Sequence, residues 1–273
     1  MSQQLRFFRK NLIDLSESNT SIAITDAVAT NTGENFVNLM LNRNNDSGWA
    51  TTGSTDAATT TMVVTINEEL DFDTIVLVGH NLKSFTLKYW NGSAWTDFST
   101  AVNETTNTKD TNLFQFNNVT SAQIQLVING TQTADEDKII RQLIVTRKIE
   151  SGAFEGWPIL QKPSVDLSRK AIETISGKSK VTQRVGSYSV SLKFQTWPSD
   201  NDLTLLEALH FYHPKGFLFW PTGGDEDQFR YKRIGFRNKD IYLCGVISEW
   251  IPEWDSGVYV NGINMTVRLV EVI

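Results

Sequence analysis

Short runs of β-branched and aromatic residues recur through the first 150 positions, each cut off by a stretch rich in Thr, Asn and Ser, and no window keeps a helical period. The runs at 62–66, 74–78, 85–90, 122–128 and 139–147 have strand length and composition, and the polar separators fall at 50–61, 99–112 and 129–137. Strands this short bury their apolar side only by stacking one sheet on another, so the pattern points to a β-sandwich or jelly roll. Asn91-Gly92, set between Trp90 and Trp95, is the strongest hairpin signal, because both residues tolerate positive φ.

The second half repeats the theme with one exception. Strands are expected at 189–194, 216–220, 241–249 and 265–272. Between the first two, Leu203, Leu205, Leu206, Leu209 and Tyr212 recur at helical spacing; Ser199 is a suitable N-cap with Asp202 three residues on, and Pro214 and Gly216 end the run. A short amphipathic helix near 200–213 is therefore expected to lie over an antiparallel sheet. Charge marks the boundary. Residues 1–150 hold 17 acidic and 11 basic side chains, net −6, whereas residues 151–273 hold 14 of each. Ser151-Gly152 and Gly156-Trp157-Pro158 punctuate the same place. The reading is mainly β: a jelly-roll sandwich over 1–150 and a β-sandwich or barrel with one flanking helix over 151–273, linked near 148–158.

Several function classes fall away. No apolar run approaches the roughly 20 residues of a membrane-spanning helix, and no apolar segment follows Arg6, Arg9 and Lys10 as a secretory signal would require. Cys244 is the single cysteine, which forbids an internal disulfide or a thiolate metal cluster. The basic residues Arg230, Lys232, Arg233, Arg237 and Lys239 directly follow Asp225-Glu226-Asp227, so no basic face for nucleic acid is expected.

Catalytic and cofactor signals are equally thin. There is no glycine-rich phosphate loop. His80, in Val78-Gly79-His80-Asn81-Leu82, is expected to fix a strand-to-loop corner by hydrogen bonds. His210 and His213 stand three apart at the helix end; without a third ligand nearby, they are read as positive charge at a helix C-terminus rather than a metal pair. Glu68, Glu69, Asp71, Asp73 and the Asp135-Glu136-Asp137 run are read as solvated loops. The expectation is a non-enzyme with no cofactor and no metal. Of the eight tryptophans, most are expected in the core, and Trp49 and Trp95 are the candidates for an exposed ligand platform.

The stretch Asp73-Thr74-Ile75-Val76-Leu77-Val78-Gly79-His80-Asn81-Leu82, followed by Tyr89-Trp90-Asn91-Gly92-Ser93-Ala94-Trp95, resembles galactose-binding-like (discoidin-type) jelly rolls, in a form found in structural proteins of tailed bacteriophages. The likeness covers roughly residues 15–148. The second half is similar to tail-tube-like modules of phage tails, through Val190-Ser191-Leu192-Lys193-Phe194, the leucine helix, 216–221, 244–254 and Asn261-Gly262-Ile263-Asn264-Met265-Thr266-Val267. These resemblances imply a structural subunit at or near the distal tail end or baseplate, located in the virion tail and assembled in the host cytoplasm. Its implied partners are copies of itself in a ring (a hexamer), the tail tube protein, and tail-tip or baseplate hub proteins. The polar, Gly-rich segment 223–239 is the expected ring interface, with Asp225, Glu226, Asp227, Gln228, Phe229 and Arg230 at its centre. The alternative is a carbohydrate-binding adhesion module on the virion.

Overall fold

The computed structural model describes residues 6–14, 20–26, 37–42, 47–51, 58–153, 160–165, 169–173, 179–183, 188–196, 201–213, 216–220, 241–251, 253–255 and 262–271. In chain order its strands are β1 (Arg6–Phe8), β2 (Thr20–Asp26), β3 (Trp49–Ala50), β4 (Thr60–Val78), β5 (Leu82–Trp90), β6 (Trp95–Glu104), β7 (Thr111–Thr131), β8 (Ile139–Ile140) and β9 (Gln142–Thr146). They continue as β10 (Lys148–Ala153), β11 (Leu160–Val165), β12 (Arg169–Glu173), β13 (Ser179–Gln183), β14 (Tyr188–Thr196), β15 (Phe217–Trp220), β16 (Tyr242–Val246), β17 (Glu253–Asp255) and β18 (Gly262–Glu271).

The chain forms two units, Lys10–Lys148 and a second made of Met1–Arg9 with Ile149–Ile273. The division differs from the sequence reading, which kept 1–150 together. β1 pairs with β15, placing Arg6 opposite Trp220 and Phe8 opposite Leu218. Phe7 and Phe8 are buried there, so the first residues carry apolar surface that the second unit covers. The expected link at 148–158 begins as β10, next to β1 in the same sheet.

In the Lys10–Lys148 unit the main sheet runs β2-β4-β7-β5-β6, with β9 also on β4 and a small β3–β8 pair beside it. β4 and β7 pair in three registers. Thr60–Thr65 lies against Gln123–Ile128, Leu70–Phe72 against Val119–Ser121, and Thr74–Val78 against Thr111–Gln115. Between the first two registers Asn67, Glu68 and Glu69 bulge out and are exposed, while Ile66 stays paired with Thr20 and points into the core. The sequence runs 62–66 and 74–78 are thus one strand; the polar residues between them mimic a turn. Met62, Val64, Ile66, Ile124, Leu126, Ile128, Phe85 and Leu87 face inward. Phe72, Phe98 and Phe116 fill the centre, with Phe98 and Phe116 stacked at 3.9 Å.

The β5–β6 hairpin turns where expected, through a different device. Trp90 pairs with Trp95, leaving a four-residue loop. Gly92 alone takes positive φ, at 94°. Asn91 acts through its side chain: Oδ1 accepts from the Ser93 N–H, the Ser93 hydroxyl and the Ala94 N–H, each at 2.9 Å.

The second unit is built on the sheet β10-β1-β15-β16-β18-β14-β11, with β17 on β18 and a separate β12–β13 hairpin. The expected helix is α1 (Asn201–Glu207), continued by a wider π turn over Ala208–Tyr212. Leu205, Leu206, Ala208 and Leu209 pack with Phe7, Phe217, Phe219, Cys244, Val267 and Leu269, so the leucine stripe faces the sheet. The proposed cap Ser199 lies outside the described residues.

Candidate functional site

His80, His210 and Asp71 are each held in the fold by hydrogen bonds. Gly79 holds φ at 62° and turns the chain out of β4. His80 follows, buried, and its Nδ1 accepts the Leu82 N–H at 3.1 Å. Nε2 therefore carries the proton and donates to Asn112 Oδ1 at 2.9 Å. Burial lowers the His80 pKa to about 4, against smaller upward pulls from Asn112 and Asp110. Both ring nitrogens are engaged and the neutral form is locked, so His80 fixes the corner as its sequence context suggests.

His210 donates from Nδ1 to the Leu206 carbonyl at 3.0 Å, and its ring packs edge-on against Trp250 at 5.0 Å. His213 has its pKa lowered by burial and by Arg9, opposed by Glu150. Burial and the Arg9 charge both disfavour the imidazolium that the helix-end reading expects of His213. Among the described residues no three His, Cys, Asp or Glu side chains group as metal ligands. Asp71 is tied to Thr120 Oγ1 at 2.5 Å and to Arg147 at 3.8 Å, and Asp137 accepts from Thr51 Oγ1 at 3.4 Å. The proposed interface residues Asp225, Glu226, Asp227, Gln228, Phe229 and Arg230 lie outside the described residues.

The two candidate tryptophans separate cleanly. Trp49 is 0% exposed, on β3 opposite Ile140, inside the core of its unit. It offers no platform, which corrects the sequence reading. Trp95 is half-buried at the start of β6, opposite the half-buried Trp90, with ring centroids 5.4 Å apart and planes at 67°.

Register then shows what shares their face. Lys88, two residues before Trp90, pairs with Asp97 on one side and Gln125 on the other. The Lys88 ammonium sits 3.7 Å from the Asp97 carboxylate. Tyr89 pairs with Ile124, so Trp90 stands beside Gln123, which pairs with Thr65, which pairs with Ser21. Directly paired residues point to the same side of a sheet. The outer face therefore carries a row Trp95, Trp90, Gln123, Thr65, Ser21, with Asp97, Lys88 and Gln125 alongside. Gln123 Nε2 reaches Thr65 Oγ1 at only 3.4 Å, a long bond that leaves both groups capacity for other partners. The inner side of the same strands holds Ile22, Val64, Ile124 and Tyr89 against the core.

Sequence reasoning found Trp95 and missed the rest of this face. The signal was present in Gln123-Ile124-Gln125-Leu126-Val127-Ile128, where amides alternate with core residues. What joins those amides to the indoles is cross-strand register, which one strand's sequence does not contain.

No protein-family model matches the chain, and no characterised protein matches it in sequence. Solved structures with local likeness include a GH29 fucosidase from Ruminococcus gnavus, 18% identical, covering 51% of this chain and 27% of that one at a TM-score of 0.40. Chitosan-binding module 1 of a chitosanase/glucanase from Paenibacillus sp. IK-5 is 14% identical, covering 50% of this chain and 98% of that one at 0.41. The family 32 carbohydrate-binding module of Streptococcus pneumoniae EndoD is 12% identical, covering 50% and 99% at 0.40. The chain thus spans about a quarter of the fucosidase.

Proposed function

We propose that the Lys10–Lys148 unit is a carbohydrate-binding module and that the chain is a non-catalytic binding protein. The observation that carries this reading is the Trp90–Trp95 pair, half-exposed and set directly opposite one another on a face of amides, hydroxyls and one ion pair. A pyranose ring has an apolar face of C–H groups and an equator of hydroxyls. Indoles take the first, and planar amides and carboxylates hydrogen-bond the second. The test is a glycan array with the full chain and with Trp95→Ala. Loss of signal with an unchanged melting temperature supports the reading; signal that survives Trp95→Ala and Trp90→Ala together overturns it.

A second reading keeps the chain as a structural ring subunit of a phage tail, as the sequence resemblance implies. It is favoured by an exposed apolar group in the other unit: Phe211, Tyr212, Ile247 and Ile251 are 58%, 75%, 55% and 58% exposed, and Phe211 packs on Trp250 at 5.4 Å. Exposed apolar side chains of this kind mark surface that another copy can cover. Light scattering after size exclusion tests it. Oligomers at micromolar concentration that fall to monomers on Phe211→Ser with Ile251→Ser support self-assembly, and a wild-type monomer counts against it. The two readings are compatible, since they use different units.

A further inference from the structure

The sheet order β2-β4-β7-β5-β6 places β2 and β6 at the two edges, and the row Trp95, Trp90, Gln123, Thr65, Ser21 runs from one edge to the other. Resting on the carbohydrate reading above, we infer that this face takes internal segments of a linear polysaccharide laid across the strands, rather than the terminal sugar of a chain.

Three observations carry the inference. The first is length. Five strands about 4.8 Å apart make a track of about 19 Å, room for about four sugars if each advances roughly one strand spacing. The second is the order of chemistry along the track. The indole pair lies at the β6 end, the Gln123 amide and Thr65 hydroxyl follow, and the exposed Ser21 closes the β2 end. A monosaccharide on the indoles leaves Thr65 and Ser21 two and three strands away, out of its reach. The third is topology. A site for a chain end needs a wall that stops the glycan, and among the described residues both ends of the row are edge strands. The exposed bulge residues Asn67, Glu68 and Glu69 lie just beyond Thr65 on β4, and the exposed 91–94 turn lies just beyond Trp90, so both border one long side of the row and neither its ends. A border of this kind leaves both ends of the row uncapped by these residues.

The experiment uses the full chain. Native affinity electrophoresis against soluble glucan, xylan, mannan, galactan, pectin and chitosan selects a polysaccharide, and calorimetry then follows its oligosaccharides from monosaccharide to hexasaccharide. The expected result is affinity rising at least about tenfold from monosaccharide to tetrasaccharide, then levelling. Thr65→Ala, two strands beyond Trp90, should lower tetrasaccharide affinity several-fold and leave monosaccharide affinity unchanged. Equal affinity for monosaccharide and tetrasaccharide, with binding still dependent on Trp95, overturns this inference and leaves the carbohydrate reading standing. No retardation by any of the polysaccharides, with no signal on the glycan array, overturns both. Circular dichroism of each variant separates lost binding from lost fold.

Discussion

Trp90 and Trp95 face one another across the β5–β6 hairpin with ring centroids 5.4 Å apart, while the chain between them is closed by the side chain of Asn91. The turn thereby sets the spacing of the indole pair, and its chemistry can be changed without touching either ring.

Gly92 is the position at which to do so. Its φ is 94°, and a Cβ built on it meets nothing within 4 Å. Gly92→Val is therefore strained by backbone alone and should destabilise the unit by about 1–2 kcal/mol, read as a lower urea midpoint. An unchanged midpoint would show the positive φ to be dispensable. Gly48→Ala tests the opposite case. There a Cβ would lie 2.7 Å from Arg141 Cα and from the Ile140 carbonyl oxygen, so a crowded backbone must move, at about 1–3 kcal/mol.

Trp49 and Trp95 should respond to truncation in opposite ways. Trp49→Ala removes a fully buried indole and should cost about 3–5 kcal/mol, enough to lower the melting temperature of the unit sharply. Trp95→Ala should leave melting nearly unchanged while abolishing glycan binding. Scanning calorimetry of both variants distinguishes a core tryptophan from a surface one.

Acid should weaken the Lys10–Lys148 unit through His80. The folded pKa of about 4 lies below the ordinary histidine value of 6.5, so the unfolded chain binds the extra proton as pH falls between those values. Stability is full above pH 6.5 and declines toward pH 4, by up to about 3 kcal/mol. Urea midpoints at neutral pH and near the folded pKa measure the slope. His80→Gln should be less stable at neutral pH and flatter across this window, and a wild-type slope retained in that variant would assign the effect to other groups.

Truncation tests the division of the chain. A fragment spanning 10–148 contains the whole core of its unit and should fold alone with dispersed amide resonances. A fragment spanning 149–273 lacks Phe7 and Phe8, both buried in the complete chain, and exposes the edge of β15. It should aggregate unless residues 1–9 are joined to it. A well-folded 149–273 fragment would show that β1 is an accessory to that sheet.

The local periods were readable in the amino-acid sequence by itself. The alternation in 62–66 and 122–128 determines strands with one apolar face, the leucines between 203 and 209 determine a helix stripe, and Asn91-Gly92 determines a reversal, because each signal is complete within a few bonded neighbours. Everything that depends on a distant partner was decided by the tertiary structure. Two short strands near opposite ends of the chain, β1 and β15, are joined by register, which moves the first nine residues out of the unit that follows them. The depth of a tryptophan is decided the same way: Trp49 meets Ile140 and is sealed in, while Trp95 meets Trp90 at an edge and stays half in water. The corner role of His80 is legible in its sequence context, but its partner Asn112 is not, and the burial of Lys138, whose ammonium donates to Ala58 and Thr60, rests on partners about eighty residues away. The row Trp95, Trp90, Gln123, Thr65 and Ser21 is the extreme case, for its five side chains come from five strands, and only pairing in three dimensions sets them in line.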